Sequence, residues 1–323
     1  MVLAMVASGC KSNPLDTAPA TIEPARAAQS PVTTVAPAGR ILPLAGSPQA
    51  ALVDGGSLVV LVPDPAAATL SIVGRAGSPR TVSLPGPATA IAGDGRGVAY
   101  ATTRGGFFAV DLAAGTVTRT EIGQAADTEF TAIARRADGR LVLGSADGAA
   151  YTLAQDLSVA SKTDIFARVD AIVAEGDIAV VLDRGQTSVT ALTPEGSRAQ
   201  ALRAGLGATT ITADPVGRVL VTDTRAGQLL VYGVDPLIQR QAYPVGESPY
   251  GVVGSATLVW VSLTASNTVV GYDLSTGIPV EKVRYPTVRQ PNTLAYDESS
   301  GTLYVVSGSG DGIQVIRNAG EPG

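Results

Sequence analysis

The feature that most constrains this chain is a period. Apolar runs begin near Pro48, Pro87, Glu129, Arg168, Ala208, Pro249 and Pro291, at intervals of 39, 42, 39, 40, 41 and 42 residues. Ser248–Pro286 shows the unit most plainly. Val252–Val253 follow a Pro-Tyr-Gly start, and Thr257–Leu263 is richly apolar. Asn267–Leu274 alternates up to the turn Ser275-Thr276-Gly277, and Val280–Tyr285 alternates again, with Glu281, Lys282 and Arg284 giving it a wet side. Short runs of period 2, punctuated by Gly and Pro, are strands. Four per unit, of falling hydrophobicity, predict an antiparallel blade that is buried inside and half-exposed at its outer edge. A helical repeat of this length would carry 3.6-residue periodicity over longer runs, and the sequence has none.

Seven units predict an all-β, seven-bladed β-propeller over residues 39–318. The unit after Pro291 holds only three runs before Asn318–Gly323. Gly39–Gly46 (GRILPLAG) resembles the fourth runs TVSLPG and RTEIG, so the N-terminal strand is expected to complete blade 7. Closing the ring removes two open sheet edges. Aromatic residues make up only 4% of the chain, so the core must be built from Val, Leu, Ile and Ala. Trp260, inside a second run, is expected to pack in it.

Composition excludes much chemistry. The net charge is -5 with no basic cluster, so no nucleic-acid partner is expected. The chain has no His, which removes His triads, His metal sites and imidazole acid–base catalysis. Gly95-Arg96-Gly97 and Gly105-Gly106 read as blade turns, since no helix follows to make either a phosphate loop, and no cofactor is expected. The 20 Arg against 3 Lys, with abundant Ala and Gly, suit a high-GC, actinobacterial genome.

The single Cys rules out an internal disulfide, but its setting is informative. Ala7-Ser8-Gly9-Cys10 resembles a bacterial lipobox, with Val2–Val6 as the end of a signal peptide. Lipidation of Cys10, for example by palmitate, is therefore expected. It would place the chain on the outer face of the cytoplasmic membrane. Ser12–Ala38 is rich in Pro, Ala, Thr and Ser, and reads as a disordered, semi-extended tether able to reach roughly 80 Å. The expected layout is thus 1–9 signal remnant, 10–38 lipidated Cys and tether, 39–318 propeller and 319–323 disordered tail.

SPYGVV…LVWVSLTASNTVVGYDLSTG and QPNTLAYDESSGTLYVVSGSGDGIQVI resemble YVTN/NHL-like propeller repeats, and more weakly so does all of Gly39–Arg317. The middle blades lack the Tyr-Val-Thr-Asn core. With the lipobox, the chain is similar to the mycobacterial-type LppL-like lipoproteins. That resemblance implies a surface-anchored propeller in the cell envelope and little about chemistry.

In a propeller, turns between second and third strands share one face with the starts of the inner strands, around the mouth of the channel. Those turns carry Asp64, Arg104, Asp147, Asp183-Arg184, Asp223 with Arg225, Asn267 and Asp311; the inner-strand starts carry Gln49, Thr89, Thr131, Asp170, Tyr250 and Asn292. Asp and Asn are also what turns ordinarily prefer, because they bond local backbone. The densest rim charge is expected from Asp170, Asp183, Arg184, Asp223 and Arg225, a surface for an envelope protein or a small ligand. The expectation is a monomeric, non-catalytic binding or scaffolding module. The alternative is a divalent-metal-dependent lactonase or esterase, built on converging carboxylate and amide oxygens.

Overall fold

The computed structural model describes residues 19–74 and 79–320. It contains seven sheets of four antiparallel strands, each following chain order from inside to outside, except one. That one is blade 7, where Pro291–Asp297, Thr302–Ser307 and Ile313–Ile316 are joined at the outer edge by Arg40–Leu42. The expected closure is therefore present, with Arg40, Ile41 and Leu42 opposite Val315, Gln314 and Ile313. Gly39 has a φ of +71°, and a Cβ there would stand 2.2 Å from the Val315 carbonyl oxygen. Only glycine lets the chain enter the seam so closely.

Burial follows the predicted gradient. In blade 4 the second strand, Ile178–Asp183, is almost wholly buried, while the outer strand, Arg198–Arg203, is almost wholly exposed. The core is a set of aliphatic layers between neighbouring blades, as when Leu220 of blade 5 packs among Val252, Val259 and Val261 of blade 6. Trp260 is fully buried and stacks on Tyr285 and Tyr296 with ring centroids 6.1 and 6.3 Å away.

Polar bonds hold the blades in register on both faces. On the mouth side, Thr89 Oγ1 donates to the Phe130 carbonyl, Thr131 Oγ1 to that of Val169 and Thr222 Oγ1 to that of Tyr250. On the opposite side, Asp54 of blade 1 accepts from Gly95 N and Gly97 N of blade 2, each at 2.6 Å. Asp138 N of blade 3 likewise donates to Asp177 of blade 4 at 2.8 Å. The fully buried Gln314 ties the seam: its Oε1 accepts from Val288 N at 3.1 Å, and its Nε2 donates to the carbonyls of Ala38 and Pro286 at 2.8 and 2.9 Å. Ala319, placed in the expected tail, packs beside Trp260.

Candidate functional site at the channel mouth

The inner strands surround a cavity of about 680 Å³ that opens on the mouth face. Its walls mix aliphatic side chains such as Ile91, Ile133 and Ile172 with polar ones such as Thr210, Thr212 and Asn292. The charged residues lining it are Arg168, Asp170 and Arg184. Asp170 Oδ1 lies 3.2 Å from Arg168 Nε, and its Oδ2 accepts from the Arg184 backbone N–H at 2.8 Å. Burial pushes the Asp170 carboxyl above the ordinary Asp range, against the Arg184 N–H and the nearby Arg184 and Arg168 charges. Two arginines thus share one carboxylate, which leaves a net positive charge at the cavity. The Arg184 Nε is buried and meets no acceptor among the described residues.

Of the five residues expected on the rim, the structure brings Asp170 and Arg184 together at the cavity. Asp183 and Asp223 are not rim charges: both are fully buried. Asp183 accepts from Ala167 N, Arg168 N and Gln186 N, and Asp223 from Leu206 N, Gly207 N and Ala226 N. Each carboxylate pins the loop that leads into its own blade's inner strand. Such a loop runs over a blade edge, where its N–H groups have no strand partner, and an acceptor at the end of the second strand supplies one. The turn-chemistry reading also fits Asp64, whose Oδ1 accepts from Ala66 N and Ala67 N. Thr89 and Thr131, at inner-strand starts, have hydroxyls bonded to neighbouring blades.

Sequence reasoning passed over Arg168, although it sits two residues before Asp170 at an inner-strand start. It also placed residues 19–38 in a free tether, and here the structure corrects it. This segment is extended but docked across the mouth face of blades 4 to 7. Ile22 N donates to the Gly185 carbonyl at 2.8 Å. Arg225 Nη2 donates to the Glu23 carbonyl at 2.7 Å, and Arg184 Nη2 to that of Ala25. Further on, Ser30 Oγ donates to the Thr264 carbonyl at 2.7 Å, Gln290 Nε2 to that of Ala28 at 2.9 Å, and Asn267 Nδ2 to that of Pro31 at 2.9 Å. Arg225 is thus a strap contact, and Arg184 belongs to both strap and cavity. Cys10 lies outside the described residues.

No protein-family model matches the chain, and no curated protein does. Solved structures do. A streptogramin B lyase superposes with a TM-score of 0.69 at 12% identity, covering 87% of this chain and 96% of its own. The likeness is one of fold. A catalytically inactive virginiamycin B lyase from Staphylococcus aureus with quinupristin gives a TM-score of 0.70 at 13% identity, covering 85% and 97%. The hydrazine synthase of Kuenenia stuttgartiensis gives 0.69 at 12%, covering 86% and 97%. At such identities the seven-bladed architecture is what these proteins share with this chain.

Among the described residues no three or more His, Cys, Asp or Glu gather where they could hold one metal ion. No helix there is long and apolar enough to cross a membrane.

Proposed function

We propose that this protein is a lipid-anchored, extracytoplasmic binding module of the cell envelope, held by Cys10, whose propeller takes a small ligand at the channel mouth without transforming it. The observation that carries the ligand reading is the cavity itself. It joins walls of mixed aliphatic and polar side chains to a net positive charge, two arginines sharing Asp170, and the Arg184 Nε has no acceptor among the described residues. Such a site suits a molecule with one acidic group and an amphipathic body, the charge fixing orientation and the mixed walls supplying contact. The absence of His from the chain and the bonding of Thr89 and Thr131 to backbone carbonyls support binding rather than catalysis. The Ala7-Ser8-Gly9-Cys10 run supports the anchor.

Two experiments test the two halves. Cys10→Ala in the full precursor should move the protein from the membrane to the soluble fraction in vesicle flotation; unchanged flotation refutes the anchor. Native mass spectrometry of the full chain with a series of alkyl carboxylates and alkyl phosphates should show one bound molecule, lost in Arg184→Met. No binding by the wild type, or equal binding by the variant, refutes the site. Turnover of lactones only on addition of a divalent cation would replace this reading with a hydrolase.

A further inference from the structure

The docked strap fixes where the N-terminal attachment point can lie. The segment runs backward from the seam at Arg40 across blades 7, 6, 5 and 4, and at Ile22 it is still bonded to the mouth face. Eight residues separate Cys10 from Pro19, and at full extension the step between them spans only about 30 Å at roughly 3.3–3.6 Å per residue. A free tether from Cys10 to Ala38 would reach far enough to let the propeller present any side. The docked one keeps the mouth-face end of the strap within about 30 Å of Cys10 and so favours the mouth side.

We infer that the strap turns the channel mouth toward whatever surface carries Cys10, so that the cavity with Arg184 opens onto the membrane and draws its ligand from there. The inference rests on the anchor proposed above for its biological setting, but not for its geometry. The strap begins over blades 4 and 5, the side on which Arg168, Asp170 and Arg184 line the cavity, so the site lies nearest the point of attachment. The opposite face, which carries the turns between inner and second strands, faces away. Most of the caught groups are backbone groups, which no substitution within the strap removes; the Ser30 hydroxyl is an exception. The capturing side chains Arg184, Arg225 and Asn267 come from the propeller turns and can be removed.

The test uses the full chain with a maleimide lipid coupled to Cys10, the only cysteine, which makes it independent of cellular processing. A dye is carried on p-azidophenylalanine in place of Leu206 or of Val216. These are exposed positions, 55% and 51%, at the two ends of blade 5: Leu206 on the mouth side and Val216 on the other. With vesicles bearing an acceptor on their headgroups, transfer from position 206 should be about twice that from 216, since the faces stand roughly 20 Å apart at strand length. In Arg184→Ala/Arg225→Ala/Asn267→Ala the difference should shrink as the strap lifts. Equal transfer at both sites in the wild type, more transfer at 216, or an undiminished difference in the triple variant overturns the inference. If the cell-made protein fails to float while the coupled chain shows the difference, the anchor is wrong and the orientation set by the strap stands.

Discussion

Asp223→Ala separates a loop-pinning carboxylate from a ligand contact. In the structure Asp223 is fully buried and accepts from Leu206 N at 2.7 Å, Gly207 N at 2.9 Å and Ala226 N at 3.1 Å. The Gly207 bond is itself buried, so truncation leaves that N–H without an acceptor, at about 1–3 kcal/mol. The other two bonds are partly open to solvent, and water recovers part of each, so they cost about 0.5–1.5 kcal/mol apiece. The loss is then about 2–6 kcal/mol, and at about 2 °C per kcal/mol for a chain of this size the midpoint should fall by about 4–12 °C. Thermal melts followed by calorimetry and by Trp260, the single tryptophan, would measure it. Asp223→Asn should fall between, because its amide places a donor against donors. Arg225→Ala, which removes an exposed strap contact, should cost under about 1 kcal/mol. A melting point for Asp223→Ala within about 2 °C of wild type would refute the loop-pinning role and return Asp223 to the ligand surface.

Other outcomes follow from the same geometry. Gln314→Leu leaves the buried Val288 N–H without an acceptor and removes a donor from the partly buried carbonyls of Ala38 and Pro286, and should cost about 2–4 kcal/mol in urea titrations; a neutral result would mean that water replaces the amide. A chain beginning at Gln49 exposes the Ile313–Ile316 edge, and light scattering should find it associating where the full chain does not. The raised pKa of Asp170 means that the folded state holds the proton more tightly than the unfolded chain. Its contribution is therefore present at low pH and declines as pH rises from about 3.9 through the raised value. Asp170→Asn, which does not titrate, should gain stability relative to wild type between pH 4 and pH 7, and a difference in melting point that is flat with pH would sink this assignment. Arg26 is an exposed trypsin site within the strap, and Arg184→Ala/Arg225→Ala should be cut there faster than wild type.

The fold was legible because period and alternation are carried by every unit; the seam strand was legible because Gly39–Gly46 looks like the outer strand that blade 7 lacks. The strap was not. Its residues are mostly Pro, Ala, Thr and Ser, with little apolar surface, so nothing within it announces a docked conformation. What holds it is chiefly Arg184, Arg225, Asn267 and Gln290, each in a different turn far along the chain, acting on carbonyls that every sequence possesses, with Ser30 adding a side-chain bond from the strap itself. Asp183 and Asp223 were placed in the right turns but on the wrong side of them. A turn's sequence shows that an acid stands there; which way the carboxylate faces depends on the neighbouring loop's need for acceptors. One signal was available: the second strands of blades 4 and 5 both end in Asp, each after an apolar run, where a free rim charge has no reason to recur.

The strap and the seam strand are consecutive in the chain, and this gives the molecule a direction of mechanical weakness. Tension applied at the N-terminal end meets the bonds at Ile22, Glu23, Ala25, Ala28, Ser30 and Pro31 one after another. Each is worth about 0.5–1.5 kcal/mol net, so the strap would peel at low force and lengthen before any strand is disturbed. The next load falls on Ala38, where Gln314 and the Pro286 backbone hold the chain together, and only then on the three-residue pairing of blade 7. A pull on the N-terminus thus spends its first extension on slack that can re-dock, and the ring behind it remains shut.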